Sequence, residues 1–453
     1  MTNSHYDAII IGFGKGGKTL GGKLAKAGKS VALIEKDAFM YGGTCINVGC
    51  IPSKSLIHSA AQVNPAASFP EKSRLYQEAI KEKRRLTAML REKNYKNLAS
   101  FSNVTIYNGK ARFIAPQQVE VKTAEGCKQI SGEQIFINTG ATPRIPAIKG
   151  VETTPGVYTS AGLMELDKLP KRLIIIGGGY IGLEFAAMYN SFGSKVTILQ
   201  DKAEFLPQED QDIATEIKSL LAASGIDIGL GVELKEIQEG PTAVYQWQGQ
   251  EHRLQTDAIL LATGRIPNTA ELNCPAAGID LTDRGAVKVD DKLRASAPQV
   301  WAMGDVTGGQ QHTYISLDDS RIVWQQLVNA GKEYTTLKRK NVPYSVFLSV
   351  PYSRVGLNEQ EAKAAGYTVK VSKLPTAAIP KAQVLKATSG ILKAIIDAKS
   401  HKILGAMLLC AESYETINVI KLAMDLGADY TVLQDQVFTH PTMTEALNDL
   451  FTI

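Results

Sequence analysis

Two stretches of this chain repeat one pattern, and that pattern constrains the fold more than anything else in the sequence. The first runs Ala8-Ile-Ile-Ile-Gly12-Phe-Gly14-Lys-Gly-Gly17, continues as a helical stretch to Ala27 and closes on a second apolar strand, Ser30 to Glu35. The second runs Leu173-Ile-Ile-Ile-Gly177-Gly-Gly179-Tyr180-Ile-Gly182, then a helix, then Ser194 to Gln200. A tight turn after the strand needs the first glycine (Gly12, Gly177). Close approach of backbone to a pyrophosphate needs the second (Gly14, Gly179), and helix-on-strand packing needs the third (Gly17, Gly182). The pyrophosphate then sits at a helix N-terminus, where free N–H groups and the macrodipole favour negative charge. Glu35 and Gln200 end their second strands at the same offset, 23 residues beyond Gly12 and Gly177. One G-x-G-x-x-G alone says little, but two complete strand–glycine–helix–strand units with equal spacing predict a chain that binds two dinucleotides.

The two units differ where they meet the ribose. Glu35 offers a carboxylate that accepts from ribose hydroxyls. Gln200 stands where the second unit would carry that acid, followed by Asp201 and Lys202. Asp201 suits a 2′-hydroxyl and Lys202 a 2′-phosphate; without a supporting arginine pair, the reading leans to NADH over NADPH.

With 453 residues the chain is too long for one ordinary core and predicts two to four domains. An apolar share of 44% and a charged share of 21% are those of a soluble globular protein. The net charge of +5 is mild, and the basic residues are scattered apart from Lys81-Glu-Lys-Arg-Arg85. That run reads as a solvated helix face rather than a nucleic-acid patch. Met-Thr-Asn-Ser-His-Tyr-Asp at the amino end lacks a leader's basic and apolar regions, and no run of about 18 apolar residues occurs. A cytoplasmic protein with neither membrane nor nucleic-acid partner is expected. Residues 58–100 read as two helices, one of them polar and periodic from Ser73 to Asn97, and 109–137 alternates like antiparallel strands.

Only two of the five cysteines are close together, in Gly42-Gly43-Thr44-Cys45-Ile-Asn-Val-Gly-Cys50-Ile-Pro-Ser-Lys54. Cys127, Cys274 and Cys410 are isolated and read as bystanders. Such a pair is redox-active or metal-binding more often than structural in a cytosolic protein. Near a helix start the two can reach disulfide distance if Gly49 and Pro52 let the backbone deform. A helix N-terminus also favours thiolate, and Lys54 adds positive charge. An inert stapling disulfide, or two buried free thiols, is the competing interpretation.

The segment GGTCINVGCIPSK resembles the redox-disulfide signature of the class I pyridine nucleotide-disulfide oxidoreductases, which include dihydrolipoamide dehydrogenase, glutathione reductase and mercuric reductase. The resemblance extends through Thr139-Gly140, Gly177 to Glu184, Ala262-Thr-Gly264-Arg265, Met303-Gly304-Asp305 and His440-Pro-Thr-Met-Thr-Glu445. It implies an α/β fold with two Rossmann-like dinucleotide-binding domains, one for FAD and one for NAD(P), and an α+β C-terminal dimerisation domain. The implied boundaries are 1–150 with 270–340 for FAD, 151–269 for NAD(P) and 341–453 for the interface. It further implies FAD and NADH or NADPH as cofactors, with Gly43, Thr44, Thr139, Gly140, Gly264, Arg265 and Gly304 among the binding residues. Tyr180 would act as a lid over the nicotinamide pocket, and Asp305 would bind the flavin ribityl chain. Lys54 and Glu184 match an ion pair beside the flavin. Cys50 would be the flavin-proximal thiol in charge-transfer contact, and Cys45 the exposed thiol that attacks the acceptor. Glu445 would orient His440 for proton exchange with Cys45. That histidine comes from the partner subunit in the family, which implies an obligate homodimer.

The acceptor is less constrained than the relay. Mercuric reductases carry a vicinal C-terminal cysteine pair and high-molecular-weight thioredoxin reductases a C-terminal redox pair; here the last cysteine is Cys410. The arginines that clamp the NADP phosphate in glutathione reductase are not evident after Gln200. More narrowly, Gly12 to Leu20, Met40 to Asn47, Thr313 to Asp319 and Phe438 to Thr442 look like the reactive-chlorine-resistance flavoproteins of bacteria. That resemblance implies reduction of Cu(II) in defence against hypochlorous acid. Soft sulfur favours Cu(I), so Cys45 and Cys50 would meet copper transiently. His312 could assist a metal but reads as an exposed loop residue. The enzymatic rival is a dihydrolipoamide dehydrogenase-like reductase of a small disulfide. A rival of another class is a redox- or metal-sensing binding protein, for which a complete proton relay would be superfluous.

Overall fold

The structure, a computed structural model, describes residues 4–328 and 333–453. Met1 to Asn3, the start of the segment read for a leader, lie outside them. Ala8–Ile11 forms the buried end of the strand Ser4–Ile11, apolar on both faces because each face of the sheet is covered. This strand pairs in parallel with Val31–Glu35 on one side and Gly126–Ile137 on the other, and Val104–Asn108 extends the parallel array. Gly126–Ile137 is long enough for two partners along one edge. Its first half pairs antiparallel with Gln118–Thr123, and its last three residues take Val300–Ala302 in parallel. Lys110–Ala115 completes a seven-stranded sheet, and the alternation at 109–137 is thereby realised as antiparallel strands.

Between residues 143 and 300 the chain builds a second sheet. Five parallel strands lie in the order Asp227–Leu230, Lys195–Gln200, Arg172–Ile176, Ala258–Leu261 and Val157–Thr159. Leu173 to Ile176 are all buried at its centre, each aliphatic side chain contributing roughly 1.5–3 kcal/mol. A three-stranded antiparallel sheet, 233–255, follows the last helix of this unit. The C-terminal part is a five-stranded antiparallel sheet ordered Tyr344–Val346, Tyr352–Gly356, Ile403–Leu409, Ile391–Asp397 and Val369–Pro375. Ile417, Ile420 and Ala423 of helix Ser413–Asp425 pack into its core. The fold is therefore α/β, with two glycine-turn units and a separate α+β unit.

The region expected to hold two helices contains Cys50–Ala61 and the 31-residue helix Phe69–Ala99. Its basic run is exposed at Lys81 and Arg85, as a solvated face would be, but not at Lys83. Lys83 is buried and pairs with Glu165, while Arg84 reaches Glu165 at 2.9 Å and Asp167 at 2.6 Å; Arg85 pairs locally with Glu82. A lysine stem can be buried along apolar surface when its ammonium finds a carboxylate at the end. These bonds tie the long helix to the segment that precedes the second glycine unit. Among the described residues, no helix is long and apolar enough to cross a membrane.

Candidate functional site

Both glycine turns are closed against the strand that follows them in space. Gly12 and Gly177 each have φ +107°, where an L side chain is strained. A Cβ at Gly12 would meet the Asn138 carbonyl oxygen at 2.3 Å, and one at Gly177 the Ala262 carbonyl oxygen at 2.4 Å. Gly17 and Gly182 press on the carbonyl oxygens of Gly12 and Gly177, fixing helix to turn. The middle glycines differ. Around Gly179 nothing lies within 4 Å of a Cβ position, leaving the room a pyrophosphate needs, whereas at Gly14 that position falls 2.5 Å from Asn138 Oδ1. At Gly14 the protein's own amide is a further reason for glycine.

Asn138 is a residue that sequence reasoning missed. Its Oδ1 accepts from the Gly17 amide at 2.9 Å, and its Nδ2 donates to the Met303 carbonyl at 2.6 Å and to Ser316 Oγ at 3.2 Å. It thereby ties the glycine helix to the Met303–Gly304 loop and to helix Thr313–Leu327. The available signal was a lone amide at the end of an apolar strand, just before Thr139-Gly140. Thr139 and Asn268 exchange reciprocal hydrogen bonds, Thr139 Oγ1 to the Asn268 carbonyl at 2.8 Å and Asn268 Nδ2 to the Thr139 carbonyl at 2.9 Å. The Gly264 carbonyl accepts from Arg144 N at 2.9 Å.

Glu35 and Gln200 occupy equivalent places. Glu35 Oε2 accepts from the Phe13 amide at 2.9 Å, and Gln200 Oε1 from the Gly178 amide at 2.6 Å. Burial pushes the Glu35 carboxyl up, opposed by that amide and by those of Asp37 and Lys36. Gln200 keeps the backbone contact without the charge, while Asp201 and Lys202 are exposed beside it.

The cysteine segment lies directly on the first glycine turn. Gly43 has φ +82°, and a Cβ there would approach Gly14 Cα to 2.7 Å. Thr44 opens the four-residue turn that carries Cys45, and Cys50 opens helix Cys50–Ala61. Asn47 anchors the turn, donating to the carbonyls of Gly43 at 2.9 Å and Tyr41 at 3.0 Å and accepting from Arg91 Nε at 2.8 Å. Both cysteines are free thiols, close enough that each shifts the other's acidity. The Cys45 thiol, the Thr313 hydroxyl and the Lys54 ammonium hold Cys50 down at about 6, against burial and Glu184. The same sulfur contact and burial push Cys45 up. The pair therefore shares one proton, held on Cys45. Thr313, the first residue of its helix, places Oγ1 3.5 Å from Cys50 Sγ and was not foreseen.

Cys50 sits at the open end of its helix, whereas Cys45 is folded into a turn whose glycines and Asn47 are buried. On the following turn of that helix, Lys54 Nζ donates to Glu184 Oε2 at 2.6 Å and lies 4.7 Å from the Phe347 ring centroid. Glu184 Oε1 also accepts from the Phe347 amide at 3.0 Å. Arg265 is anchored on the Ala141 carbonyl and carries positive charge toward Asp305 and Cys50. Asp305, in the turn Gly304–Thr307, is pushed up by burial against the pull of Arg265. Among the described residues its carboxylate takes no side-chain hydrogen bond. Gly304 N donates to Asp319 at 2.7 Å, and Arg339 holds Asp318 and Asp319 together.

Two expected groups stand apart from the thiols. His440 Nδ1 meets Glu445 Oε2 at 2.8 Å, and Glu445 Oε1 accepts from the Thr442 amide at 3.1 Å. The histidine side chain is 70% exposed, and among the described residues no hydrogen bond joins it to either cysteine. Its bond pulls the Glu445 carboxyl down. Tyr180 turns its hydroxyl to Glu209 and Tyr344, residues absent from the sequence reading. His312 is half-buried and precedes helix Thr313–Leu327 with its ring stacked on Tyr314, centroids 4.9 Å apart, so it is not the exposed loop residue expected. Burial pushes it down. Among the described residues no group of three or more His, Cys, Asp or Glu is placed to hold a metal, so Cys45 and Cys50 stand as a two-donor pair.

Comparison with known proteins decides the family. The profile described as pyridine nucleotide-disulphide oxidoreductase matches residues 6–332, and that of the same family's dimerisation domain matches 342–451. The chain belongs to the pyridine nucleotide-disulphide oxidoreductases. It is 51% identical, over 99% of both chains, to a probable pyridine nucleotide-disulfide oxidoreductase, RclA, of Escherichia coli strain K12. It is 32% identical to a mercuric reductase of Lysinibacillus sphaericus, over 99% of this chain and 82% of that one. A solved structure described as a Cu(II) complex of the HOCl-induced flavoprotein disulfide reductase RclA from Escherichia coli superposes with a TM-score of 0.93 and 50% identity, covering 100% of this chain and 99% of that one. This oxidoreductase uses FAD and a nicotinamide nucleotide and carries a dimerisation domain. Its residues fit both groups: the open Gly179 turn accepts a pyrophosphate, and the Glu35 and Asp305 carboxylates have accepting capacity left for hydroxyls.

Proposed function

We propose that this oxidoreductase passes electrons from NADH or NADPH, by way of FAD and the Cys45–Cys50 pair, to Cu(II), in defence against hypochlorous acid. The observation that carries the reading is the unequal pair: one sulfur held as thiolate at about 6 beside Thr313 and Lys54, the other holding the shared proton. Bound FAD would accept hydride from the nicotinamide and return two electrons to the disulfide. On the protein side, Gly12, Gly14, Gly17, Glu35, Gly43, Thr44, Thr139, Gly140, Gly304 and Asp305 hold FAD. Gly177, Gly179, Tyr180, Gly182, Gly264 and Arg265 receive the nicotinamide nucleotide. Lys54, fixed by Glu184, presents a cation to negative charge that develops beside it. Cys50, the more acidic thiol, takes the flavin side and Cys45 the acceptor side. One NADH supplies electrons for two Cu(II) ions to become Cu(I), while the thiol–thiolate pair closes to a disulfide and releases the one proton it held. Before the pair closes, its soft sulfur suits copper that is becoming Cu(I).

Support for the acceptor is the similarity to RclA, described as HOCl-induced and seen in complex with Cu(II). The proposed domains are 1–150 with 270–340, 151–269 and 341–453, in a cytoplasmic homodimer in which His440 and Glu445 serve the partner's thiols. That arrangement agrees with their separation from Cys45 within one chain. The His440–Glu445 pair also favours a second reading, reduction of a small disulfide such as lipoamide, because a leaving thiolate needs a proton and Cu(II) does not. The test is NADH oxidation by the holoenzyme with Cu(II) and with lipoamide, in wild type and Cys45→Ser. Faster turnover with Cu(II), lost in Cys45→Ser, is expected. Turnover far faster with lipoamide would overturn the copper reading.

A further inference from the structure

Glu209 is fully buried at its side chain, yet it belongs to none of the motifs above. It lies just before helix Gln211–Ala223 of the second sheet unit, and every group around its carboxylate comes from elsewhere in the chain. Oε1 accepts from the hydroxyls of Tyr180 and Tyr344; Oε2 accepts from the hydroxyl of Tyr352 and from Arg354 Nη1 at 3.3 Å. The hydroxyls of Tyr180 and Tyr344 are themselves 3.1 Å apart, with ring centroids at 5.4 Å. Burial, with the carboxylate beside them, pushes all three phenols up, so they remain protonated donors at neutral pH. A carboxylate has about four lone-pair directions, and here all four are taken. Tyr180 opens the glycine helix of the second unit, whereas Tyr344, Tyr352 and Arg354 stand on strands of the C-terminal sheet. One buried anion therefore joins the proposed nicotinamide lid to the C-terminal sheet.

We infer that Glu209 is a positioning residue that latches Tyr180 over the nicotinamide pocket, with Tyr344 as the second catch. The inference rests on the reading of Tyr180 as the lid. The nicotinamide can enter only when the Tyr180 hydroxyl leaves both oxygens, so the latch sets the fraction of molecules open to it. Apparent affinity scales with that fraction. The limiting rate, reached once nicotinamide is seated, does not. A glutamine at 209 can accept through only one of its two positions, so the phenols and Arg354 cannot all be satisfied.

The test is reduction of the holoenzyme's flavin by NADH in stopped flow, with wild type, Glu209→Gln, Tyr344→Phe, Tyr180→Phe and Tyr180→Ala. Glu209→Gln and Tyr344→Phe are expected to lower the NADH concentration for half-maximal rate about tenfold, with the limiting rate changed less than about twofold. Tyr180→Phe is expected to lower the half-saturating NADH concentration as well, and combining it with Glu209→Gln to add little to that shift, because both break one contact. Should Glu209→Gln fold poorly, Tyr344→Phe, which removes a single hydroxyl, still decides. An unchanged half-saturation in Tyr344→Phe, or a rise, overturns the latch even if thermal stability falls. Tyr180→Ala separates the two ideas. If it alters NADH saturation while Tyr344→Phe does not, the lid stands and the latch fails; if it alters nothing, the lid itself is refuted.

Discussion

Replacing Thr313 by valine should raise the pH at which the Cys50 thiolate is lost. Valine keeps the shape of threonine and deletes the hydroxyl that lies 3.5 Å from Cys50 Sγ. A hydrogen bond to a charged acceptor contributes about 1.5–3 kcal/mol. The sulfur contact is long, so the lower end applies, about 1.5 kcal/mol, or about one step on the pH scale. The Cys50 thiol sits at about 6, below its ordinary value, so its thiolate exists above that pH and disappears as pH falls through it. In Thr313→Val the loss moves to about 7, and the thiolate share at neutral pH drops from about nine-tenths to about one-half. The assay is anaerobic titration of the NADH-reduced holoenzyme from about pH 5 to about pH 9, following the long-wavelength absorption of a thiolate against flavin. Midpoints agreeing within about 0.3 would refute the assignment of Thr313 as a donor to Cys50 and leave Cys45 and Lys54 to account for its acidity.

Gln200→Glu puts a carboxylate where a 2′-phosphate would approach. The ratio of kcat/KM for NADH over NADPH should rise about tenfold, measured by flavin reduction with each nucleotide. Glu445→Gln removes the anion that orients His440. Turnover with a small disulfide should fall about a hundredfold while Cu(II) reduction falls far less, and equal losses would count against a purely proton-handling role. Gly43→Ala forces a Cβ at φ +82° to within 2.7 Å of Gly14. It should destabilise the fold by about 2–4 kcal/mol and yield protein poor in FAD, read from the melting curve and from the flavin-to-protein absorbance ratio.

What could be read from the chain was what is local along it. Each glycine unit spans under 30 residues, and the cysteine segment is continuous, so spacing alone carried the chemistry of Gly12, Gly177, Cys45, Cys50 and Lys54. The site's remaining parts arrive from far away. Asn138 meets Gly17 across 121 positions, Thr313 meets Cys50 across 263, and Glu209 meets Tyr344 across 135. No periodicity or spacing marks such contacts, because each is created only when segments far apart in the chain pack together. The burial of Lys83 within the exposed basic run is hidden for the same reason, since nothing beside it in the sequence announces Glu165.

The packing of Gly43 on Gly14 has a consequence for energetics. Two events that chemistry treats as separate, oxidation of a dithiol and retention of a dinucleotide, act on backbone segments in van der Waals contact. Linkage makes any such influence mutual: if cofactor occupancy shifts the midpoint potential of the pair, then the oxidation state of the pair shifts the cofactor's dissociation constant by the same free energy. An oxidant burst that closes the disulfide would therefore also reset how tightly the protein keeps its prosthetic group.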